Sequence, residues 1–414
     1  MMPADSRSSL SVLRQVERMY QRILVPVDNS KHSDGAVRLA ASLAKRLGST
    51  VIGLHVYAAR LHETRFHQME PGLPEPYQAP DELQRQRSVH ESLIGEGLRV
   101  ISDSYLDHAQ ELCREFEVPF ERRLAEGRNY VEVLREIGRD GYDLVAMGAL
   151  GLGARRRSLI GGLSERVLRR TQIDVLLARK PLPESHGIMV AVDGSADGFR
   201  AVERALHLGR AVEQPVEIVS VFDPQFHVVA FRSIAKVLSQ EGAKVFRLQD
   251  QQKLHEQIID GGLDKLYRRH LETAARMAEV AGQPVQTTLL TGKPFQRVLD
   301  HADERRPFLL VAGRFGLHRT EHADIGNTSE NLARLARCSV LIVAGELTPT
   351  PEQSAQLPEL SRLPWTAEAS ARLQSVPAFA QGMVRHGIDE YARRHGYAEV
   401  TPEVMAEARA QMGM

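Results

Sequence analysis

Met147–Val167 reads MGALGLGARRRSLIGGLSERV, and Ala312–Leu332 reads AGRFGLHRTEHADIGNTSENL. Each stretch follows or closes a short apolar run and leads into a pattern of helical spacing. Gly148, Gly151 and Gly161 of the first return as Gly313, Gly316 and Gly326 of the second, at an offset of 165 residues. The offset extends outward in both directions. RILVPVDNS (Arg22–Ser30) returns as GIMVAVDGS (Gly187–Ser195), so that Asp28 corresponds to Asp193. Gly127 and Gly292, Glu165 and Glu330, and the closing runs VLLA (Val175–Ala178) and VLIV (Val340–Val343) keep the same register. A register shared over two whole segments is a duplication. The repeats run over 20–180 and 185–345, after an N-terminal extension of 1–19, and PLPE joins them.

Within each repeat the period alternates. Ile23–Val27 is an apolar run of the kind a buried parallel strand carries. SDGAVRLAASLAKRLG has apolar residues at helical spacing and a stop at Gly48; TVIGLHVY is a second strand, followed by a polar stretch. A helix over 93–116, the strand VPFERRL, the helix NYVEVLREIGRD, the strand YDLVAMG, a helix over 162–170 and the strand IDVLLAR complete the unit. Strands alternating with helices imply right-handed crossovers. The expected fold class is α/β: two doubly wound, Rossmann-like parallel-sheet domains in tandem, plus a small C-terminal helical module. Such sheets bind ligands at the carboxyl ends of strands, where the strand order reverses. Asp28 and Gly148 both stand at such ends.

The glycine segments fit neither common phosphate motif. No Gly-Lys-Ser/Thr closes them, and Arg156 stands where a dinucleotide fingerprint needs its third glycine. What they offer is a strand, a Gly-x-x-Gly turn, nine residues, and a glycine opening a helix. Glycine lets the backbone approach a ligand closely, and a helix start presents free N–H groups and a positive dipole end to an anion.

With these residues in hand, each repeat resembles a universal stress protein domain of the ATP-binding type, whose fold is of the adenine nucleotide alpha hydrolase kind. The resemblance rests on Asp28, His55-Val56, Gly148, Gly151, Gly161 and Gly162 in the first repeat, and on Asp193, Ser220-Val221, Gly313, Gly316, Gly326 and Asn327 in the second. It implies that Asp28 and Val56, with Asp193 and Val221, surround an adenosine, and that the glycines hold ribose and phosphates. Arg155 and Leu163 complete the first set of cofactor-binding candidates. Gly162 and Asn327 stand where the family has a hydroxyl residue. The implied cofactor is ATP, or AMP or ADP, with Mg as a possible companion, and the implied role is regulatory or stress-responsive, exercised through partner binding. A slow ATPase, or an accessory of a nitrogenase-like reductase assembly, is the alternative. Universal stress domains pair through their last strands, so DVLLA and SVLIV are expected to pair within the chain and make a pseudo-dimer, which also removes an exposed apolar edge.

The two loops between the glycines differ in charge. LGARRRSLI carries three positive residues and LHRTEHADI one positive and two negative, +3 against −1. The first repeat is therefore expected to be the ATP site, and the second weak, empty or suited to a less charged ligand. Among other candidates, His62 and His67 in the polar stretch and His318 and His322 read as solvated histidines rather than metal ligands. Glu165 with Arg166 reads as a structural helix face, and 230–258 as an amphipathic helical excursion.

Residues 346–363 are rich in proline and polar residues and read as a protease-sensitive linker. The remaining 364–414 resembles the C-terminal domain of the light-independent protochlorophyllide reductase B subunit. Trp365, Ala369, Leu373, Pro377-x-Phe379, Arg385, Glu390-Tyr391-Ala392, Gly396, Thr401-Pro402-Glu403-Val404-Met405 and Ala408-Arg409 carry the likeness. Nothing in the chain resembles the rest of that enzyme, so the module is expected to bind a protein partner rather than to make a reductase, with docking on a partner of that nitrogenase-like class or binding of a tetrapyrrole as the alternatives the resemblance leaves open. It reads as three short helices, with Phe379, Met383, Ile388, Tyr391 and Ala392 on the apolar face of the middle one and Thr401-Pro402-Glu403, a capping residue then proline, starting the last.

Lys+Arg and Asp+Glu both number 53, so no global field draws in nucleic acid or an anionic membrane. Two lone cysteines exclude a disulfide framework and suit a reducing cytoplasm. No apolar stretch approaches the roughly 20 residues of a membrane span, and the first residues lack the apolar core of a signal peptide.

Overall fold

A computed structural model describes residues 19–139, 141–223, 260–317, 319, 323–344, 363–374, 385, 388–389, 391–392 and 395–412. The chain divides into two units, 1–347 and 348–414.

In the first unit the strands are β1 (Arg22–Pro26), β2 (Thr50–Tyr57), β3 (Phe120–Glu126), β4 (Leu144–Gly148) and β5 (Asp174–Ala178), then β6 (Ile188–Ala191), β7 (Val216–Phe222), β8 (Val285–Thr291), β9 (Leu309–Gly313) and β10 (Ser339–Val343). They form one sheet in the order β3-β2-β1-β4-β5-β10-β9-β6-β7-β8. Each repeat contributes a parallel half whose order reverses between its first and fourth strands, β1 beside β4 and β6 beside β9. The halves join where β5 and β10 pair antiparallel, Leu176 opposite Leu341. Those two residues are equivalents under the 165-residue offset, so the pseudo-two-fold passes between them. The intrachain pairing expected of the two closing strands is present.

Both faces of the sheet are covered, which is why the central strands are apolar beyond their first residues, Arg22 of β1, Asp174 of β5 and Ser339 of β10. Helices α1 (Lys31–Leu47), α3 (Pro80–Glu115), α6 (Ala196–Ala211) and α7 (Asp260–Val280) cover one face, through Val37, Leu43, Leu106, Val202 and Leu271. Helices α4 (Asn129–Ile137), α5 (Gly162–Arg170), α8 (Pro294–Arg305) and α9 (Asn327–Leu335) cover the other, through Val133, Val167, Val298 and Leu332. Helix α1 begins at Ser30, whose hydroxyl accepts from Ser33 N, and stops at Gly48 in the left-handed region at φ 68°, the stop its sequence signals.

The polar stretch after β2 contains a further helix, α2 (Ala59–Met69), and α3 begins at Pro80 rather than Leu93. Both differences have one cause: these segments are mostly exposed and bury no apolar stripe to betray their period. Proline at the first turn of α3, with Asp81 and Glu82 behind it, was the available signal. Glu70, just past α2, accepts a two-armed contact from Arg87 of α3 at 2.6 Å, which holds its carboxyl down to about 2. His62 is exposed on α2, and His67 meets Glu70 at 2.8 Å, so neither lies in a loop. His318, His322, the 230–258 excursion and most of the 346–363 linker lie outside the described residues.

Cys113 and Cys338 are free and buried, and burial pushes their thiols up to about 12 and about 11. No helix among the described residues is long and apolar enough to cross a membrane.

The second unit has a core of its own, made of Ala369, Ile388, Ala392, Val400, Val404 and Ala408. Its described helices are α10 (Ala367–Gln374) and α11 (Pro402–Met412), the latter starting where Thr401-Pro402 predicts. Trp365 pairs with Val400 in a parallel bridge and donates its indole N–H to the buried Asp389 carboxylate at 2.7 Å. Arg385 lies over the Trp365 ring. Pro377, Phe379 and Met383 lie outside the described residues, while Ile388, Tyr391 and Ala392, on the apolar face of the middle helix, are helical.

The seam between repeats rests on fully buried leucines, and this sets a stability test. Leu341→Ala is expected to lower unfolding free energy by about 2–5 kcal/mol in chemical denaturation, the range for a cavity in a close-packed core. A loss under about 1 kcal/mol would show that the seam contributes little.

Candidate nucleotide site

The sheet's two reversal points, β1/β4 and β6/β9, place the glycine segments beside the register-matched aspartates of each repeat, and the contacts repeat pair by pair. In the first repeat, Asp28 follows β1 and its Oδ2 accepts from Leu152 N at 3.0 Å, while Oδ1 accepts from Ser30 N at 3.1 Å. In the second, Asp193 Oδ2 accepts from Leu317 N at 3.0 Å and Oδ1 from Ser195 N at 3.0 Å. Each carboxylate is thus a latch that ties the glycine turn to the end of the first strand. Gly151 must be glycine for this reason: a Cβ there would stand 2.6 Å from Asp28 Oδ2, and one at Gly316 would stand 2.5 Å from Asp193 Oδ2.

The helix that follows is anchored in the same way twice. Ser164 Oγ donates to Gly148 O at 2.8 Å, and Ser329 Oγ donates to Gly313 O at 2.6 Å. Gly161 donates its N–H to Ala149 O at 2.7 Å, and Gly326 donates to Arg314 O at 2.9 Å. Both glycines are N-caps without a side chain to satisfy the helix start, so the first turns, at Gly162-Leu163 and at Asn327, carry no side-chain cap. Val56 and Val221 are buried near the carboxyl ends of β2 and β7. Beside them, His55 Nδ1 lies 2.8 Å from Val27 O and Ser220 Oγ donates to Val192 O at 2.7 Å, one more equivalent pair, which links the second strand's end to the first's.

Asp28, Gly148, Gly151, Gly161 and Gly162 are therefore gathered at one end of the sheet, as are Asp193, Gly313, Gly316, Gly326 and Asn327. Arg155, Arg156 and Arg157 are exposed, and among the described residues none of them enters an ion pair. Arg155 holds its loop through the main chain, where its N–H donates to Ser158 Oγ at 3.0 Å.

Two readings need correction. Glu165 does not pair with Arg166: it meets Arg334 of the other repeat and Arg169 of its own helix, at 3.7 Å for the latter. Arg166 lies over the Tyr130 ring at 4.9 Å. The charge contrast between the loops is also smaller than the count suggests. Asp324 of the second loop is paired with Arg169 at 2.8 Å, and Arg314, inside the second glycine turn, adds a positive charge that a count between Gly316 and Gly326 omits.

The equivalents Glu165, Arg169, Glu330 and Arg334 form a network across the pseudo-two-fold, with Arg169 to Glu330 at 2.5 Å and Arg334 to Glu330 at 3.0 Å. It joins α5 to α9, the two helices that open the glycine cradles.

The model of the universal stress protein family matches residues 19–179 and again 185–344. The chain belongs to the universal stress protein family. A universal stress protein of Methanocaldococcus jannaschii is 25% identical over 174 residues, 42% of this chain and 91% of the relative. One from Bacillus subtilis is 27% identical over 156 residues, 38% of this chain and 97% of its own. The crystal structure of a universal stress protein from Archaeoglobus fulgidus superposes with a TM-score of 0.52 at 16% identity, covering 79% of this chain and 99% of that one. Residues 365–409 match the family described as the proto-chlorophyllide reductase 57 kD subunit. The light-independent protochlorophyllide reductase B subunit of Roseiflexus sp. is 45% identical over 49 residues, 12% of this chain, and the chain spans only 9% of that relative.

The latch can be tested by adding one methyl group at a time. Gly151→Ala drives a Cβ against a carboxylate already held by two N–H groups, so a loss of about 1–3 kcal/mol is expected. Gly162→Ala meets nothing within 4 Å and is expected to leave stability unchanged or raise it by about 0.4–1 kcal/mol. Thermal denaturation of the two variants side by side decides it, and equal losses would rule out the steric latch.

Proposed function

We propose that this universal stress protein binds an adenine nucleotide, ATP or its products ADP and AMP, and acts as a regulatory or stress-response protein through partner binding. The observation that carries the reading is the duplicated cradle: an uncapped helix start and a glycine turn latched to a carboxylate, at the strand-order reversal of each half-sheet. The first repeat adds three exposed arginines free of ion pairs among the described residues, which suits a triphosphate. Asp28 and Val56 line the nucleoside end, Gly148, Gly151 and Gly161 admit the ribose and phosphates, and Gly162 and Leu163 supply main-chain donors. Arg155 supplies charge, and a Mg ion accompanies the phosphates. The second repeat offers Asp193, Val221, Gly313, Gly316, Gly326 and Asn327 in the same order and is the weaker ATP site. The C-terminal unit serves as a protein-docking module, and the protein works in the cytoplasm.

The deciding experiment analyses nucleotide released by heating the purified protein, alongside a phosphate-release assay. Bound adenine nucleotide with turnover below a few per hour is expected. No nucleotide overturns the reading, and faster turnover replaces it with an ATPase.

Charge at the first cradle makes a second prediction. Each arginine near an exposed phosphate contributes on the order of 1 kcal/mol or less after screening. Replacing Arg155, Arg156 and Arg157 together by glutamine is expected to weaken ATP binding by about one to two powers of ten at low salt, and by less as salt rises. Calorimetric titration at two ionic strengths measures it, and an unchanged affinity at low salt excludes the arginines from the site.

A further inference from the structure

Beneath the glycine turn of the second repeat lies a cluster of buried charge that the first repeat lacks. Arg200 on α6 and Arg314 in the turn itself are 4% and 5% exposed. Arg200 Nη2 meets Asp197 Oδ1 at 3.3 Å, and Arg314 Nη1 donates to Asp324 O at 3.3 Å. Their other guanidinium nitrogens, Nε and Nη1 of Arg200 and Nε and Nη2 of Arg314, are buried with no hydrogen-bond partner. Asp197 joins the two: its Oδ2 accepts from the N–H of Phe315, the chain neighbour of Arg314, at 3.0 Å. Burial pulls the Arg314 guanidinium below its ordinary range, against the pull of Asp197.

The duplication supplies an internal control. The positions equivalent to Asp197, Arg200 and Arg314 are His32, Gly35 and Ala149, none with a fixed charge. Farther along the same face, Asp174 accepts from Tyr20 at 2.5 Å, Arg204 Nε at 3.1 Å and Ala344 N at 2.8 Å. Its equivalent is Ser339, which accepts only the matching main-chain contact from Arg179 N at 3.1 Å among the contacts seen. The fold therefore does not require charge here, since its other half is built without it. Asp174 is matched by Arg204, and among the described residues Asp197 is the one acid side chain that meets Arg200.

Four buried guanidinium nitrogens without acceptors are expensive unless something accepts from them. Arginine's planar fork suits a tetrahedral oxyanion: Nε and Nη2 of Arg314 lie on one edge of the guanidinium and can donate to it together, while Nε and Nη1 of Arg200 lie on different edges, so Arg200 adds a single contact. We propose that the second repeat holds a phosphate-class oxyanion beneath its glycine turn, on Arg200 and Arg314. Such an anion neutralises the excess charge and fixes the turn from below. The site is independent of nucleotide binding in the first repeat, and it accepts either free phosphate or the phosphate of a small nucleotide.

Equilibrium dialysis of the full chain against radiolabelled inorganic phosphate, and separately against labelled AMP, tests this at constant ionic strength. Wild type is expected to retain one phosphate per chain. Arg314→Ala, which installs the first repeat's own residue, and Arg200→Gln are each expected to weaken retention at least tenfold, and Arg114→Ala on the surface is expected to leave it unchanged. If only AMP is retained and Arg314→Ala loses it, the oxyanion is the nucleotide's phosphate, and the arginine pair stands. Circular dichroism verifies folding; should Arg314→Ala fail to fold, Arg314→Lys, which keeps the charge and loses the fork, is expected to show the same weakening. Wild type that retains neither probe, or Arg314 variants that retain both as wild type does, overturn the proposal. Retention of inorganic phosphate does not bear on heat-released ATP, so this site and the nucleotide reading can fail separately.

Discussion

The antiparallel pairing of β5 with β10 is the constraint on which the rest of the large unit depends. Each repeat alone ends in a five-residue strand, DVLLA or SVLIV, apolar on both faces and with one row of backbone groups unpaired. Left free, that edge would be an aggregation site. Joined, the two edges satisfy each other around Leu176 and Leu341, and two half-sheets become one sheet of ten strands. Because β5 and β10 neighbour the strands that carry the glycine turns, the pairing also fixes the two cradles relative to each other.

The symmetry so created is used unevenly. At the seam it is kept: Glu165 and Glu330 alternate with Arg169 and Arg334 across the pseudo-two-fold, and partly buried pairs in such a network hold better than isolated surface pairs. Around the cradles it is kept in the backbone and in the short polar side chains that hold it, namely Asp28 with Asp193, Ser164 with Ser329, and His55 with Ser220. It is abandoned in charge. The first repeat carries its arginines outside, at Arg155–Arg157, and the second carries them inside, at Arg200 and Arg314. A charge in solvent attracts weakly and over distance; a charge in the interior binds strongly or not at all. Two copies of one scaffold have thus acquired different electrostatics without a change of fold.

The C-terminal unit has a different physical basis. Its core is six small or medium apolar side chains, and Trp365 packs against them, held by the Asp389 carboxylate at its N–H and by Arg385 over its ring. A core of that size is marginal by itself. Its likeness to a short terminal stretch of a much longer reductase subunit fits a module that travels between proteins.

The sequence by itself determined the duplication, the alternation of strands and helices, the glycine turns, the helix stop at Gly48 and the helix start at Thr401-Pro402, because each is written in local spacing: a period, a cap, a glycine where a side chain cannot fit. It also implied, through resemblance, the pairing of the closing strands. The tertiary structure alone decided what depends on distant partners. Helix α2 and the first half of α3 hide in polar sequence because they bury no stripe. The reason for glycine at 151 is the carboxylate of Asp28, more than a hundred residues away. Glu165 bypasses its neighbour Arg166 for Arg334 across the seam. Arg314 looks like an ordinary loop residue in the chain, and only its burial in the fold turns it into a cation with unfilled donors.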